Sequence, residues 1–145
     1  MTTTIERSAL VAHSAETMFD LVDAAEHYPE RFGWCQAADV ERMDDGHYVA
    51  RLDVGLGRFK TWFKTENSSE RPQRIDMRLV DGPFKTLEGH WRFLPLDTHA
   101  CKVTLELRFE PASSLLGPVL ALGLQNLANR MVDDFIRAAN KAGTP

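Results

Sequence analysis

The hydrophobic pattern of this chain holds a period of two over a long central run, and that run limits the fold more than any other feature. From residue 48 to residue 109 apolar side chains recur at every second position, and beyond it they recur at helical spacing. Tyr48, Ala50, Leu52, Val54 and Leu56 share one face, opposed by Arg51 and Asp53. Phe59, Thr61, Phe63 and Thr65 make the next face, opposed by Lys60, Trp62, Lys64 and Glu66. Ile75, Met77 and Leu79 follow, then Leu87, Gly89, Trp91 and Phe93, then Cys101, Val103, Leu105, Leu107 and Phe109 against Lys102, Thr104, Glu106, Arg108 and Glu110. Neighbouring strand side chains point to opposite faces, so the pattern predicts an antiparallel sheet with one packed face and one wet face. Asp44-Asp45-Gly46 ahead of it is a hairpin signal.

The flanks complete the outline. Residues 5–13 alternate loosely and read as a first strand. Ser14 is placed to cap a helix whose apolar stripe is Met18, Phe19, Leu21 and Val22, with Thr17 where a full capping box would carry Glu. Tyr28-Pro29 ends that helix or begins a short second one. At the other end Ser113 or Ser114 is the expected cap of a long helix, Pro118 falls in its first turn, and Gly143 lies past its end. Leu127, Met131, Phe135 and Ala139 give that helix a one-sided stripe, whereas the stretch from Leu115 to Leu124 is apolar all round. Such a stretch is buried, covers a cavity, or meets a membrane or a second copy of the chain.

The expected architecture is therefore α+β. A single domain over residues 1–145 should form a helix-grip fold, with a curved antiparallel sheet of about six to seven strands around the C-terminal helix and short helices after the first strand. Composition narrows the function. A net charge of −4 argues against a nucleic-acid module with a basic stripe, although Arg51, Arg58, Lys60, Lys64, Arg74, Arg78 and Lys85 gather in the strand region. Interleaved acids such as Asp53 and Glu66 make a solvated sheet exterior the plainer reading of that cluster. Cys35 and Cys101 have no metal-ligand spacing and read as small buried hydrophobes. His13, His27, His47, His90 and His99 form no metal pair, no nucleophile signature accompanies them, and His90 reads as facing solvent. The polar N-terminus and the lack of a spanning apolar run predict a cytoplasmic protein.

Residues 81–93 hold the most distinctive motif, Asp-Gly-Pro-Phe-Lys-Thr-Leu-Glu-Gly-His-Trp-Arg-Phe. Phe84 follows its turn and either closes the core or forms the lip of a pocket. With Tyr28-Pro29, Cys35, Phe63 and the final Phe135-Ile136-Arg137-Ala138, this motif resembles the coenzyme Q-binding and ribosome-association-toxin family of START-like (polyketide cyclase/lipid transport) domains. The resemblance runs from about Ser8 to Ala139. It departs at Arg31, Phe32 and Gly33, where similar chains usually carry Phe-Leu-Pro.

The resemblance implies a non-enzymatic carrier of ubiquinone or a related isoprenoid quinone that supports respiration and requires no cofactor. It implies as an alternative a toxin that binds the large ribosomal subunit and blocks subunit joining. A cyclase-type enzyme is the weaker third. The candidate cavity and mouth residues are Phe32, Trp34, Tyr48, Leu52, Phe59, Phe63, Met77, Leu79, Phe84, Trp91, Phe93, Leu116, Val119 and Leu120. A carrier of this kind would visit the inner-membrane surface, and the segment from Leu115 to Leu124 is the candidate contact for a bilayer or for a homo-oligomer.

Overall fold

A computed structural model describes residues 2–142. Strand β1 (Thr3–Val11) leads into helix α1 (Ala15–Asp23), a 3₁₀ turn (Ala25–His27) and the short helix α2 (Tyr28–Arg31). Six strands follow, β2 (Cys35–Arg42), β3 (His47–Leu56), β4 (Phe59–Glu70), β5 (Arg74–Asp81), β6 (Phe84–Asp97) and β7 (Ala100–Pro111), before helix α3 (Gly117–Ala142). The seven strands form one antiparallel sheet in the order β1-β7-β6-β5-β4-β3-β2. Each strand from β3 onward joins its predecessor by a hairpin; β1 alone is out of sequence, pairing with β7 from Thr3 opposite Phe109 to Val11 opposite Cys101.

Register places one inward row across five strands: Tyr48 opposite Asn67, Asn67 opposite Met77, Met77 opposite Gly89, and Gly89 opposite Leu107. Pairing slips at Cys35/Ala37, Lys64/Thr65, Phe84/Thr86 and Pro95/Asp97. An extra residue on one strand of a pair bends it, and the sheet curves around α3. Gly46 takes φ +88° in the hairpin read from Asp44-Asp45-Gly46, a conformation that costs a residue without a Cβ little.

Helix α3 lays Leu124, Leu127, Ala128, Val132, Phe135 and Ala139 on the sheet, all buried. Phe135 is the hub of an aromatic cluster. Its ring centroid lies 5.4 Å from Tyr28, 5.0 Å from Phe32, 6.0 Å from Trp34 and 5.4 Å from Trp91. At the opposite end of the helix, Gly123 lets the Phe59 ring lie against the helix backbone; a Cβ there would collide with three atoms of that ring.

Several boundaries differ from the sequence reading. The first strand ends at Val11, because Ser14 caps α1 by accepting from the Thr17 N–H at 3.1 Å and His13 turns away to a hydrogen bond with Asn140 Oδ1 at 2.7 Å. The long helix starts at Gly117 without a serine side-chain cap, and the Ser114 backbone carbonyl accepts from the Gly117 N–H at 3.4 Å. The expected terminus at Gly143 lies outside the described residues. The late start divides the apolar stretch: Leu120, Gly123 and Leu124 are buried, while Leu115, Leu116, Val119 and Leu122 stand in solvent.

Most of the sheet's basic residues are neutralised locally. Arg51 pairs with Asp53, Arg74 with Glu70 and Asp76, Arg78 with Glu66 and Lys85 with Glu110. His90 lies on the outer face, half-buried, with Nδ1 2.7 Å from Asp76 Oδ1.

Candidate functional site: an apolar cavity with one polar end

Strands that alternate and a helix that presents one stripe should close completely on each other. Here they leave a cavity of about 60 Å³ between the inner sheet face and α3. Tyr48, Ala50, Leu52, Phe63, Ile75, Met77, Leu87, Trp91 and Leu105 wall it from the sheet, and Leu124, Leu127, Ala128 and Met131 from the helix. Val22, Ala25 and Tyr28 close one side and Phe84 another. Gly89 lets two neighbouring walls close over the sheet: a Cβ there would collide with the Met77 methyl and stand 3.1 Å from Leu107 Cδ2.

Of the candidate residues, Tyr48, Leu52, Phe63, Met77, Phe84 and Trp91 come together around this cavity. Phe84 does both things left open for it, lining the cavity while packing edge-on against Phe109 at 6.0 Å. The other eight stand elsewhere. Phe32 and Trp34 lie outside its walls; they stack on each other 5.1 Å apart against Phe135, because the chain between α2 and β2 turns inward. Phe93 packs behind Trp91, stacked at 6.4 Å, and meets Phe19 edge-on at 5.6 Å. Phe59 is held on Gly123, Leu79 is half-buried away from the walls, and Leu120 is buried outside them. Leu116 and Val119 point into solvent, as the helix start at Gly117 dictates.

Two further cavity residues are polar, and a search for apolar walls misses both. Thr65 and Asn67 point inward from β4 and are 3% and 4% exposed. Thr65 Oγ1 donates to Asn67 Oδ1 at 2.7 Å, and the Asn67 amide faces the Tyr48 phenol from the neighbouring strand. The signal was present, since Thr65 falls in phase with Phe59, Thr61 and Phe63, and Asn67 is the next position in that phase.

No lining side chain carries a charge. Burial, reinforced by the Asp23 carboxylate, pushes the Tyr48 phenol far above the ordinary tyrosine value. Burial does the same to Tyr28, whose hydroxyl donates to the Val22 carbonyl. Asp23 itself stays outside, 3.6 Å from Arg42 Nη1 and accepting from Ser69 Oγ at 2.9 Å. Among the described residues no group of His, Cys, Asp and Glu is arranged to hold a metal ion.

Both thiols are free and buried, and burial raises Cys35 to about 11 and Cys101 above its usual value. A thiol is a poor nucleophile until it ionises. At pH 8 Ellman's reagent should therefore find almost no thiol in the folded protein and both after denaturation; rapid native-state reaction at either would contradict this burial.

A sheet wrapped around one helix over an apolar cavity defines a START-like fold. The chain belongs to the polyketide cyclase/dehydrase and lipid transport family, whose model matches residues 11–136. It is 42% identical over 137 residues to the ribosome association toxin RatA of Vibrio cholerae serotype O1, covering 94% of this chain and 95% of that one. Identity to the RatA of Pseudomonas aeruginosa is 38% over 141 residues, covering 97% and 98%. In three dimensions it resembles the Zhui aromatase/cyclase from Streptomyces sp. R1128, with a TM-score of 0.89 over the whole of both chains at 16% identity. That identity supports likeness of fold alone. No helix among the described residues is long and apolar enough to cross a membrane.

Proposed function

We propose that this protein is a non-enzymatic carrier that holds a neutral apolar ligand of the isoprenoid-quinone class in the cavity beneath α3. The observation that carries this reading is the lining: an uncharged, almost wholly apolar wall with one polar end. A prenyl tail gains about 0.8 kcal/mol for each CH₂ it buries, and such a wall rewards little else. The cavity's present volume of about 60 Å³ has room for a few waters only. Pockets for drug-sized ligands run to roughly 300–1,000 Å³. Loading therefore requires α3 to move outward. The adaptable walls are Met77 and Met131, whose unbranched thioethers repack readily. The exposed ridge of Leu115, Leu116, Val119 and Leu122 supports a contact with a bilayer surface or a second copy at this end.

Organic extraction of protein purified under detergent-free conditions, followed by mass spectrometry, tests the reading. A stoichiometric isoprenoid quinone is the expected result. Protein that comes back empty and takes up no tailed quinone on reloading refutes it.

A second reading, association with the large ribosomal subunit so as to hinder subunit joining, is favoured by the similarity to relatives called ribosome association toxin. The structure restricts which cations would serve it. Arg58, Lys60 and Lys64 have no ion-pair partner among the described residues, unlike Arg51, Arg74, Arg78 and Lys85. Removing a cation that neutralises one phosphate should flatten the dependence of log K on log salt by about 0.7–0.9. Reversing Lys60 and Lys64 together to Glu should thus abolish co-sedimentation with large subunits at moderate salt. Unchanged sedimentation would remove this face from the interface.

A further inference from the structure

The polar end of the cavity has a direction. The pairing of β3 with β4 sets Tyr48 opposite Asn67 and Ala50 opposite Thr65, so Tyr48, Asn67 and Thr65 converge on one inward patch. Buried polar groups cost free energy unless they are hydrogen-bonded, and these are bonded in series. Because Thr65 Oγ1 donates to Asn67 Oδ1, the amide oxygen faces Thr65 and the amide nitrogen faces Tyr48. An asparagine amide has two N–H groups, and the phenol oxygen can take one at most. The second finds no acceptor among the described residues. It is a donor in a cavity whose walls are otherwise almost wholly apolar.

Charge decides what it can meet. No lysine, arginine or histidine lines the cavity to balance a carboxylate ligand, and behind Tyr48 the Arg42 guanidinium, 4.6 Å over its ring, is already paired with Asp23. No carboxylate lines it to balance an amine. We infer that the Thr65–Asn67–Tyr48 patch is the specificity element of the cavity, selecting ligands whose apolar body ends in a neutral carbonyl and rejecting fatty acids and amines. Thr65 and Tyr48 act through Asn67, as positioning residues that fix the amide's orientation. This inference rests on the carrier reading above and adds the chemistry of the ligand's head.

The test uses three probes with the same tail: a decyl-substituted benzoquinone, decylbenzene and decanoate. Quinone binding is read from quenching of tryptophan fluorescence, since Trp91 lines the cavity, and the other two both by competition with the quinone and directly by equilibrium dialysis. Wild-type protein should bind the quinone, with decylbenzene competing weakly and decanoate not at all. Asn67→Leu keeps the bulk and removes the donor, and should weaken quinone binding about tenfold or more while leaving decylbenzene competition intact. Thr65→Val, an isosteric change that keeps the fold testable should Asn67→Leu misfold, should weaken quinone binding to a smaller extent. Quinone affinity unchanged in both variants, or decanoate displacing quinone as well as decylbenzene does, overturns the inference. If wild-type protein binds decylbenzene but not the quinone, the cavity stands as an apolar carrier and the selectivity falls. If it binds none of the three, the carrier reading itself fails and takes this one with it.

Discussion

Phe135→Ala should cost about 3–5 kcal/mol of folding free energy, the usual range for removing a buried phenylalanine ring. Phe135 is 1% exposed and touches four other aromatic rings, contributed by α2, the following turn and β6. None of them can collapse into the space, because Phe32 and Trp34 are already stacked on each other and Trp91 on Phe93. Domains of this size are stable by only about 5–15 kcal/mol, so the loss is a large share of the total. The melting temperature should fall by about 10–20 °C. Phe135→Leu, which keeps most of the volume, should cost clearly less. Equal melting of Phe135→Ala and wild type would mean that α3 is not anchored by this ring.

Gly123→Ala should change sign with its surroundings. In the wild-type background the new methyl meets the Phe59 ring, whose Cγ is 2.6 Å from the Cβ position and is the farthest of the three contacted atoms. Ordinary carbon contacts are about 3.5–4.0 Å, so ring or helix must shift by about 1 Å. Overpacking of this kind costs about 1–3 kcal/mol. Against it stands about 1 kcal/mol gained by replacing glycine with alanine inside a helix. The net effect should be destabilising, and it should loosen the part of α3 that covers the cavity. With Phe59→Ala already present the clash is gone and only the helical gain remains. Gly123→Ala should then stabilise by up to about 1 kcal/mol. Denaturant midpoints of the four proteins in this double-mutant cycle measure the coupling. Additive effects would show that Phe59 and Gly123 do not latch.

The sheet was legible because its wet face preserves alternation. Tyr48, Ala50 and Leu52 point inward as their period requires, and the C-terminal stripe of Leu127, Met131, Phe135 and Ala139 meets them. What escaped was set by contacts distant in sequence. Phe32 and Trp34 follow a short helix and read locally as mouth residues; Phe135, about a hundred positions later, makes them core. Leu116 and Val119 changed place because Gly117 and Pro118 start the helix late and turn those side chains outward. Thr65 was in view as an inward-phase residue and Asn67 is the next position in that phase, but their value depends on Tyr48, which only the β3–β4 register brings alongside. Residue type marks a wall, and register marks a donor.

The pairing of β1 with β7 has a consequence for how the chain comes into being. Thr3 meets Phe109, a separation of more than a hundred residues, while every other strand pair is a local hairpin. Contacts between residues so far apart slow folding, since the loop they close must be ordered before they reward it. During synthesis the meander from β2 onward can zip up strand by strand. β1 must wait with Ile5 and Val11 uncovered until β7 has emerged, and α3 is made later still. The apolar interior is therefore completed only after every strand is in place, and a nascent molecule has no cavity to load until α3 arrives.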